Sequence, residues 1–391
     1  MPAWRRTVLR PRQGDRYAPP VLRVAFDVGP LAGHRTGIGA AVAEMARTLR
    51  STPDCELVEY VTSFRAHVEP PTRRLPVPAA LGHRWWAHAS GPPVDRWLGR
   101  PDVVHGTNYV VPPTRCPRVV SVYDCWFLRH PAEAAPAVVR AGEVLRRSVR
   151  DGATVHASSH ATAAAVAELL AGAKVTVVPL GPLPVPSADG VRVEATALGQ
   201  LVGVPYVLAI GTIERRKNLP TLVRAFGAIA PDQHDLRLVI AGGDGDDRPA
   251  LDSAVARLEP AVARRVVLAG RVDQPAKGWL LRHAEVLAYP SLDEGFGFPL
   301  LDAMQVGVPI VASDAGSIPE VAGAAALLSA PDDVDALAAN LVAALTDDAL
   351  RERLMTAGAT RVVQHSWTST ACGLLDLYRQ VSERHDHGEK G

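Results

Sequence analysis

The sequence predicts two doubly wound α/β domains facing a central cleft. Three observations carry that reading. Short apolar runs alternate with amphipathic helical stretches along most of the chain. The apolar runs end in polar residues, the pattern of buried parallel strands whose carboxyl ends feed a site. The alternation halts once, at a Pro-rich and then polar stretch, GPLPVPSADGVRVEATALGQ, and then restarts. With 391 residues the chain has room for two domains of ~100–200 residues each.

Taken in order, VLRVAFDV (21–28) is the first strand. GPLAGHRTGIG leads from it into the helix AAVAEMARTLR, and LVEYVTS (57–63) is the second strand. Residues 65–100 show no clean period and carry Trp85, Trp86 and Trp97. DVVHGTN (102–108) and RVVSVYD (118–124) are strands. The helix PAVVRAGEVLRRSVRDG closes at Gly152, followed by ATVHASS as strand, HATAAAVAELLAG as helix and KVTVVPLG as strand.

Beyond the break, YVLAIGT, LRLVIAGG, RVVLAGRV, VLAYPS and VPIVAS read as strands. Between them lie the helices LPTLVRAFGAIA, PALDSAVARLEP, WLLRHA and PLLDAMQVG. PEVAG opens a further helix, and two helical stretches fill about 332–381. The polar end SERHDHGEKG reads as mobile. The expected division is a flexible basic tail (1–20), an N-terminal domain (21–182), a linker (183–203), a C-terminal domain (204–362) and a terminal segment (363–391). No short-period repeat is visible, which argues against a solenoid.

Composition removes several classes of function. With 47% hydrophobic and 21% charged residues the chain is not globally disordered. Forty-two basic residues against 41 acidic ones leave no basic excess for nucleic acid. Cys55, Cys116, Cys125 and Cys372 form no C-x-x-C pair and are too few for a disulfide scaffold. Each reads as a small buried apolar residue, and a reducing, cytoplasmic location is expected. No run of about 18 apolar residues predicts a membrane span. The first twenty residues hold five Arg and four Pro without an apolar signal core. Weak peripheral contact with anionic lipid at the inner face of a membrane stays open for them.

Only four basic residues are Lys (Lys174, Lys217, Lys277, Lys390), and Asn occurs three times (Asn108, Asn218, Asn340). An Arg-rich chain that sets Lys217 beside Asn218 invites a functional reading of that pair. Three loops carry candidate chemistry. In Arg35-Thr36-Gly37-Ile38-Gly39, two glycines before a helix let backbone amides approach an anion; a plain turn is the competing reading. Val42 stands where a dinucleotide fingerprint needs Gly or Ala, so a nicotinamide cofactor is disfavoured.

The second loop, Gly211-Thr212-Ile213-Glu214-Arg215-Arg216-Lys217-Asn218, places a planar fork and a point charge before a helix. Cations there oppose the helix dipole unless an anion is shared, so a diphosphate is favoured over a solvated basic turn. The third runs from Pro290 to Met304, through Glu294-Gly295-Phe296-Gly297-Phe298-Pro299-Leu300, into a helix holding Asp302 in its first turn. Free amides in such a turn bind phosphate or sugar oxygens. Its two carboxylates suit vicinal hydroxyls of a sugar and of a ribose. A dipole-favoured acid at 302 and a loop charge at 294 are the plainer alternatives. The acid-rich 242–249 lacks a full calcium-loop pattern, and no metal signature appears elsewhere. His105 and His156, at strand ends, read as structural.

GTIERRKNLPTLVRAF, AGRV and AYPSLDEGFGFPLLDAMQVGVPIVASDAGSIPEVAG, in that order, resemble the retaining nucleotide-sugar glycosyltransferases of family 4 with the GT-B fold. The match is specific over roughly 205–330 and looser in AFDVGPLAGHRTGIG, DVVHGTNYVVPP, VVSVYDCWFLRHP and VVPLG. The resemblance implies a GT-B fold whose 204–362 domain binds the donor and whose 21–182 domain faces the acceptor. The last helix would pack back onto the N-terminal domain. Arg216 and Lys217 match the basic pair on the diphosphate, and Glu294 the acid contacting the donor sugar. Asp302 stands where a Glu usually holds the ribose. Val272 falls at the base-contacting backbone, and Gly37 and Gly39 at the phosphate loop. Gly211, Thr212 and the segment Gly295, Phe296, Gly297, Phe298 and Leu300 complete the donor set. Tyr123-Asp124 replaces the usual His-Asp, and Tyr123 can donate a hydrogen bond but cannot carry a proton at neutral pH as His can.

The expected function is therefore retaining transfer of a sugar, with mannose or another hexose favoured, from a nucleotide-diphosphate donor. The acceptor would be a hydroxyl of a glycan, a lipid carrier or a small metabolite. No cofactor and no metal are expected. A non-catalytic nucleotide-sugar-binding protein or partner subunit, and a nucleotide-sugar epimerase, are the alternatives. A pyridoxal-type phosphorylase would need a Schiff-base lysine from a set of four.

Overall fold

The computed structural model describes residues 21–32, 37–63, 66, 71–187 and 198–388. Residues 1–20, expected to form a tail, and 188–197 of the expected linker lie outside them. Two parallel sheets form the frame. The first contains β1 (Leu22–Asp27), β2 (Cys55–Val61), β3 (Arg73–Arg74), β4 (Val103–Gly106), β5 (Arg118–Val122), β6 (Thr154–Ala157) and β7 (Lys174–Val177). The second contains β8 (Tyr206–Ile210), β9 (Arg237–Ala241), β10 (Val266–Gly270), β11 (Val286–Tyr289), β12 (Ile310–Ser313) and β13 (Ala326–Ser329).

Strand order is β3-β2-β1-β4-β5-β6-β7 in the first sheet and β10-β9-β8-β11-β12-β13 in the second. In each the order reverses between the first strand and a later neighbour: β1 beside β4, and β8 beside β11. Chains leaving those two strands diverge to opposite faces, opening a crevice beyond their carboxyl ends. Val24, Phe26, Val104 and Val120 are buried in one sheet, and Leu208, Val239, Leu287 and Val311 in the other. Burial on both faces accounts for the unbroken apolar runs.

Helices cover the faces: α1 (Gly37–Arg50), α2 (Ala79–Trp86), α3 (Trp126–Arg129), α4 (Pro136–Arg150) and α5 (His160–Leu169) in the first half. The second half carries α6 (Leu219–Ile229), α7 (Arg248–Ala256), α8 (Pro260–Ala263), α9 (Gln274–Arg282), α10 (Phe298–Val306) and α11 (Ile318–Ala322). It then continues through α12 (Val334–Thr346), α13 (Asp348–Val362) and α14 (Trp367–Gly388). α14 lies on the N-terminal half: Tyr378 Oη bonds His105 Nδ1 at 2.6 Å and Arg379 pairs with Asp54 at 2.9 Å.

Several local expectations are corrected. The helix expected at PEVAG is α11, and β13, a strand not among those expected, follows it. The sequence ALLS of β13 forms a strand by pairing in parallel with β12. Three helices, not two, follow it. The polar end is helical, continuing α14 as far as Gly388, with 389–391 outside the described residues. α9 begins at Gln274 because the Asp273 side chain accepts the Ala276 amide as an N-cap. The aperiodic stretch holds α2. Its Trp86 is buried, whereas Trp85 is 59% exposed beside an apolar cavity of about 780 Å³ also lined by Leu81 and Trp97. Cys55 and Cys125 are buried as expected, but Cys372 is exposed.

Candidate active site

The two crevices face each other, and the loop after β11 joins them. In that loop Gly295 touches the N-terminal half. Its carbonyl accepts from Ser159 Oγ at 2.8 Å, Ser158 Oγ at 3.2 Å and Thr162 Oγ1 at 3.2 Å. A Cβ at this position would lie 1.3 Å from the Tyr123 carbonyl oxygen, so only glycine permits the approach. Two residues on, Gly297 sits at φ +89° and caps α10 in the left-handed region. Across the cleft, a Cβ on Gly37 would reach Phe298 at 3.7 Å. Gly37 and Gly39 are thus helical residues of the first turn of α1, not loop residues. Arg35 and Thr36 lie outside the described residues.

Glu294 is buried and holds two cations. Its Oε2 accepts from Arg216 Nη1 at 2.6 Å and its Oε1 from Lys217 Nζ at 2.5 Å. Lys217 Nζ also donates to Tyr289 Oη at 3.1 Å. Burial alone would raise the Glu294 carboxyl, but the Lys217 and Arg216 charges outweigh it and hold the group at about 2. Burial pulls the Lys217 ammonium below its ordinary value, with Glu294 offsetting part of that shift. The cluster stands at the β8–β11 reversal because Asn218 adopts the left-handed conformation (φ +53°) and ties its loop down. Asn218 Nδ2 donates to the Pro290 carbonyl at 3.1 Å and the Pro331 carbonyl at 2.7 Å.

Asp302 differs from its expected placement: it occupies the second turn of α10, not the first. It is buried, with Oδ2 2.5 Å from Lys277 Nζ and Oδ1 without a hydrogen-bond partner. Burial raises its carboxyl above the ordinary range, and Lys277 offsets only part of this. Val272 lies half-buried just before the Asp273 cap. Gly211 opens the loop after β8, beside the Lys217 side chain, while Thr212 is exposed and bonds locally through its carbonyl. Phe296 is a core side chain, edge-on to Phe298 and His365. Leu300 is buried and its amide is already given to Gly297.

From the N-terminal half, Asp124 Oδ1 accepts the Trp126 amide at 3.1 Å and Oδ2 accepts from Tyr109 Oη at 3.2 Å. Tyr123 is buried and its hydroxyl has no hydrogen-bond partner. His105 and His156 share the Ser121 hydroxyl, each at 2.8 Å, in a satisfied buried network. The two halves are locked beside the site. The Glu320 carboxylate accepts the first two amides of α5, from His160 at 3.0 Å and Ala161 at 3.2 Å. Arg215 pairs with Glu133 at 2.7 Å. A polar cavity of about 320 Å³ lies at this junction, lined by Asp124, Arg129, Asp293 and Glu294 among others.

Sequence reasoning missed Tyr289, Lys277 and Glu320. Lys277 carried a signal, because the scarcity of Lys that marked Lys217 applies to it equally. Tyr289 and Glu320 carried none: one is a strand residue, the other an acid at a helix start.

Residues 204–347 match the family described as Glycosyl transferases group 1. The O-antigen chain mannosyltransferase B of Escherichia coli is 36% identical over 182 residues, 46% of this chain and 47% of that protein. The phosphatidyl-myo-inositol mannosyltransferase of Mycobacterium leprae is 33% identical over 203 residues, 50% and 53% of the two chains. The chain thus spans about half the length of the curated relatives it matches. Sucrose-phosphate synthase from Thermosynechococcus elongatus superposes with a TM-score of 0.70 at 20% identity, over 92% of this chain and 99% of that one. Residues 204–347 thus match the Glycosyl transferases group 1 family, and the chain as a whole has the GT-B fold of two parallel α/β sheets.

Proposed function

We propose that the chain transfers a hexose, with mannose favoured, from a nucleotide-diphosphate sugar to an acceptor hydroxyl with retention at the anomeric carbon. One observation carries this reading. Arg216 and Lys217 converge, largely buried, on Glu294 at the reversal point of the C-terminal sheet. Two sheltered cations beside a sugar-binding carboxylate are what a departing diphosphate requires. The names of the two curated relatives, both mannosyltransferases, support the choice of sugar.

The glycosidic C–O bond to phosphate breaks as negative charge grows on the diphosphate. Arg216 and Lys217 stabilise that charge in a site screened from water. Glu294, held ionised, accepts hydrogen bonds from sugar hydroxyls and fixes the ring. The acceptor oxygen forms the new bond on the same face, and its proton passes to a leaving phosphate oxygen. No side-chain nucleophile is needed. Asp302 Oδ1, lacking a partner, is available to a ribose hydroxyl. The two cations do the work a divalent ion would otherwise do, so the reaction runs without metal.

The acceptor is a hydroxyl of a glycan, a lipid carrier or a small metabolite. Among the described residues no helix is long and apolar enough to cross a membrane. The test is a binding screen of GDP, UDP, ADP and dTDP by calorimetry, followed by transfer assays with the matching sugar, with and without EDTA. Product formation that survives the chelator supports the proposal; turnover that is abolished by EDTA and restored by a divalent ion removes its metal-free clause. The Asp302–Lys277 pair favours one second reading, a nucleotide-sugar sensor, which would bind nucleotide diphosphate without turnover. An epimerase would convert donor with no acceptor present.

A further inference from the structure

A cavity of about 200 Å³ opens at the amino ends of β5, β6 and β7, at the opposite end of the sheet from the cleft. Arg118 at the start of β5, Thr154 at the start of β6 and Lys174 at the start of β7 line it from the sheet. Val381, Arg384 and His385 line it from α14. Strand register gathers the sheet residues: Val119 pairs with Thr154, and Thr154 with Lys174. α14 is held against them by buried Val381 and, a turn earlier, by the Tyr378–His105 and Arg379–Asp54 contacts.

The cavity gathers positive charge that the protein itself leaves unbalanced. Among the described residues no carboxylate lines it, and Arg118, Lys174 and Arg384 form no ion pair. Arg118 Nη2 donates to the Asp151 carbonyl at 2.7 Å, but the Asp151 carboxylate is taken by Arg147 at 3.0 Å and Ser90 at 2.6 Å. Composition does not force this arrangement, because the chain holds 41 acidic residues against 42 basic ones. Arg379, on the same helix as Arg384, finds Asp54 at 2.9 Å. Of the three described lysines, Lys217 meets Glu294 and Lys277 meets Asp302, whereas Lys174 meets no carboxylate. Like charges gathered around one cavity repel one another unless they share an anion.

We propose that this cavity binds a phosphate group, as inorganic phosphate or a phosphomonoester, between the sheet edge and the end of α14. A phosphomonoester carries close to two negative charges at neutral pH and three strong acceptor oxygens. Arg118 and Arg384 offer planar forks, Lys174 a point charge and Thr154 a hydroxyl. A carboxylate, with one charge and two oxygens, leaves more of that set unmet. Since Arg384 belongs to α14 and Arg118 and Lys174 to the sheet, the bound anion pins the last turns of α14 to the N-terminal half. The proposal is independent of the glycosyl-transfer reading, whose diphosphate sits at Arg216 and Lys217. The same group arrives free in solution or on a lipid.

The experiment titrates the full chain with inorganic phosphate, read by calorimetry and melting temperature, against sodium chloride of equal ionic strength. Flotation with phosphatidylcholine vesicles bearing phosphatidic acid tests the lipid-borne source. Wild type should bind at least one of the two probes saturably, and free phosphate, where it binds, should raise the melting temperature. Lys174→Gln and Arg384→Gln should each weaken the binding about fivefold, the scale of one charge-assisted contact at a solvent-facing position. Arg118 is kept, because it also holds the Asp151 carbonyl. Lys174 and Arg384 are both exposed, so the variants should fold, and melts without phosphate check this. Binding of free phosphate that the substitutions weaken supports a soluble ligand, and vesicle binding alone that they weaken supports a lipid headgroup. Wild type that binds neither probe overturns the proposal. So does binding that the double substitution leaves unchanged, because the anion then sits elsewhere, Arg216 and Lys217 included.

Discussion

Lys217 and Glu294, 77 residues apart in the chain, meet at 2.5 Å in the buried mouth of the C-terminal sheet. The contact joins the loop after β8 to the loop after β11, the two strands that flank the sheet's reversal. Arg216 completes a triad in which one carboxylate balances two cations. The residual positive charge is what the proposed diphosphate would neutralise.

Replacing Lys217 by Ala removes one of the two groups that meet the leaving charge in the proposed reaction. Turnover should fall on the order of a hundredfold, about 3 kcal/mol of barrier. Steady-state kinetics with the identified donor check this; unaltered kcat would take Lys217 out of the reaction.

Two carboxyls set opposite pH dependences of stability. Glu294, held at about 2, contributes stability that is complete above the ordinary carboxylate range and is lost as pH falls toward 2. Glu294→Gln should therefore flatten the acid limb of a melting-temperature profile. Asp27, raised by burial to about 7, contributes stability that is complete below the ordinary range and is lost as pH rises to 7. The melting temperature of Asp27→Asn relative to wild type should climb between pH 4 and 7 and then level off. A difference that stays constant over that range would show that Asp27 titrates normally.

The unpartnered hydroxyl of Tyr123 gives a clean test of whether this side chain touches the sugar. Tyr123→Phe should lower kcat about tenfold while leaving the melting temperature equal or higher, because an unmet buried hydroxyl costs stability. Equal kcat would reduce the residue to packing beneath Gly295.

Asp302→Asn preserves shape but removes the charge facing Lys277 and the proposed ribose. Nucleotide-diphosphate affinity should weaken about tenfold by calorimetry. An unchanged dissociation constant would mean that the Asp302–Lys277 pair only braces α10.

Glu320 caps α5 from the other half of the molecule, so Glu320→Ala should loosen the closed arrangement rather than the domains themselves. Lost caps cost about 1 kcal/mol. A larger radius of gyration in solution scattering and a greater share of donor hydrolysis over transfer are expected. Identical scattering curves would show that the remaining contacts suffice.

The Rossmann-like frame was legible because buried parallel strands leave unbroken apolar runs, and the loop after β11 because its glycines mark a close backbone approach at Gly295 and a left-handed turn at Gly297. The misses have local causes. ALLS becomes β13 only through its partner β12. Asp302 lies a turn deeper because Gly297, not a later residue, caps α10. Lys277 escaped notice because its meaning depends on Asp302, 25 residues on.

From the chain's letters alone came the alternation of strand and helix, and Arg216, Lys217 and Glu294 as a candidate set. Those are properties of local pattern and residue chemistry. Folding decided which charges share a site, that the Tyr123 hydroxyl is left unmet, and that Glu320 and Gly295 tie the halves together. Such facts depend on distances between residues far apart in sequence, which arise only when both sheets are packed.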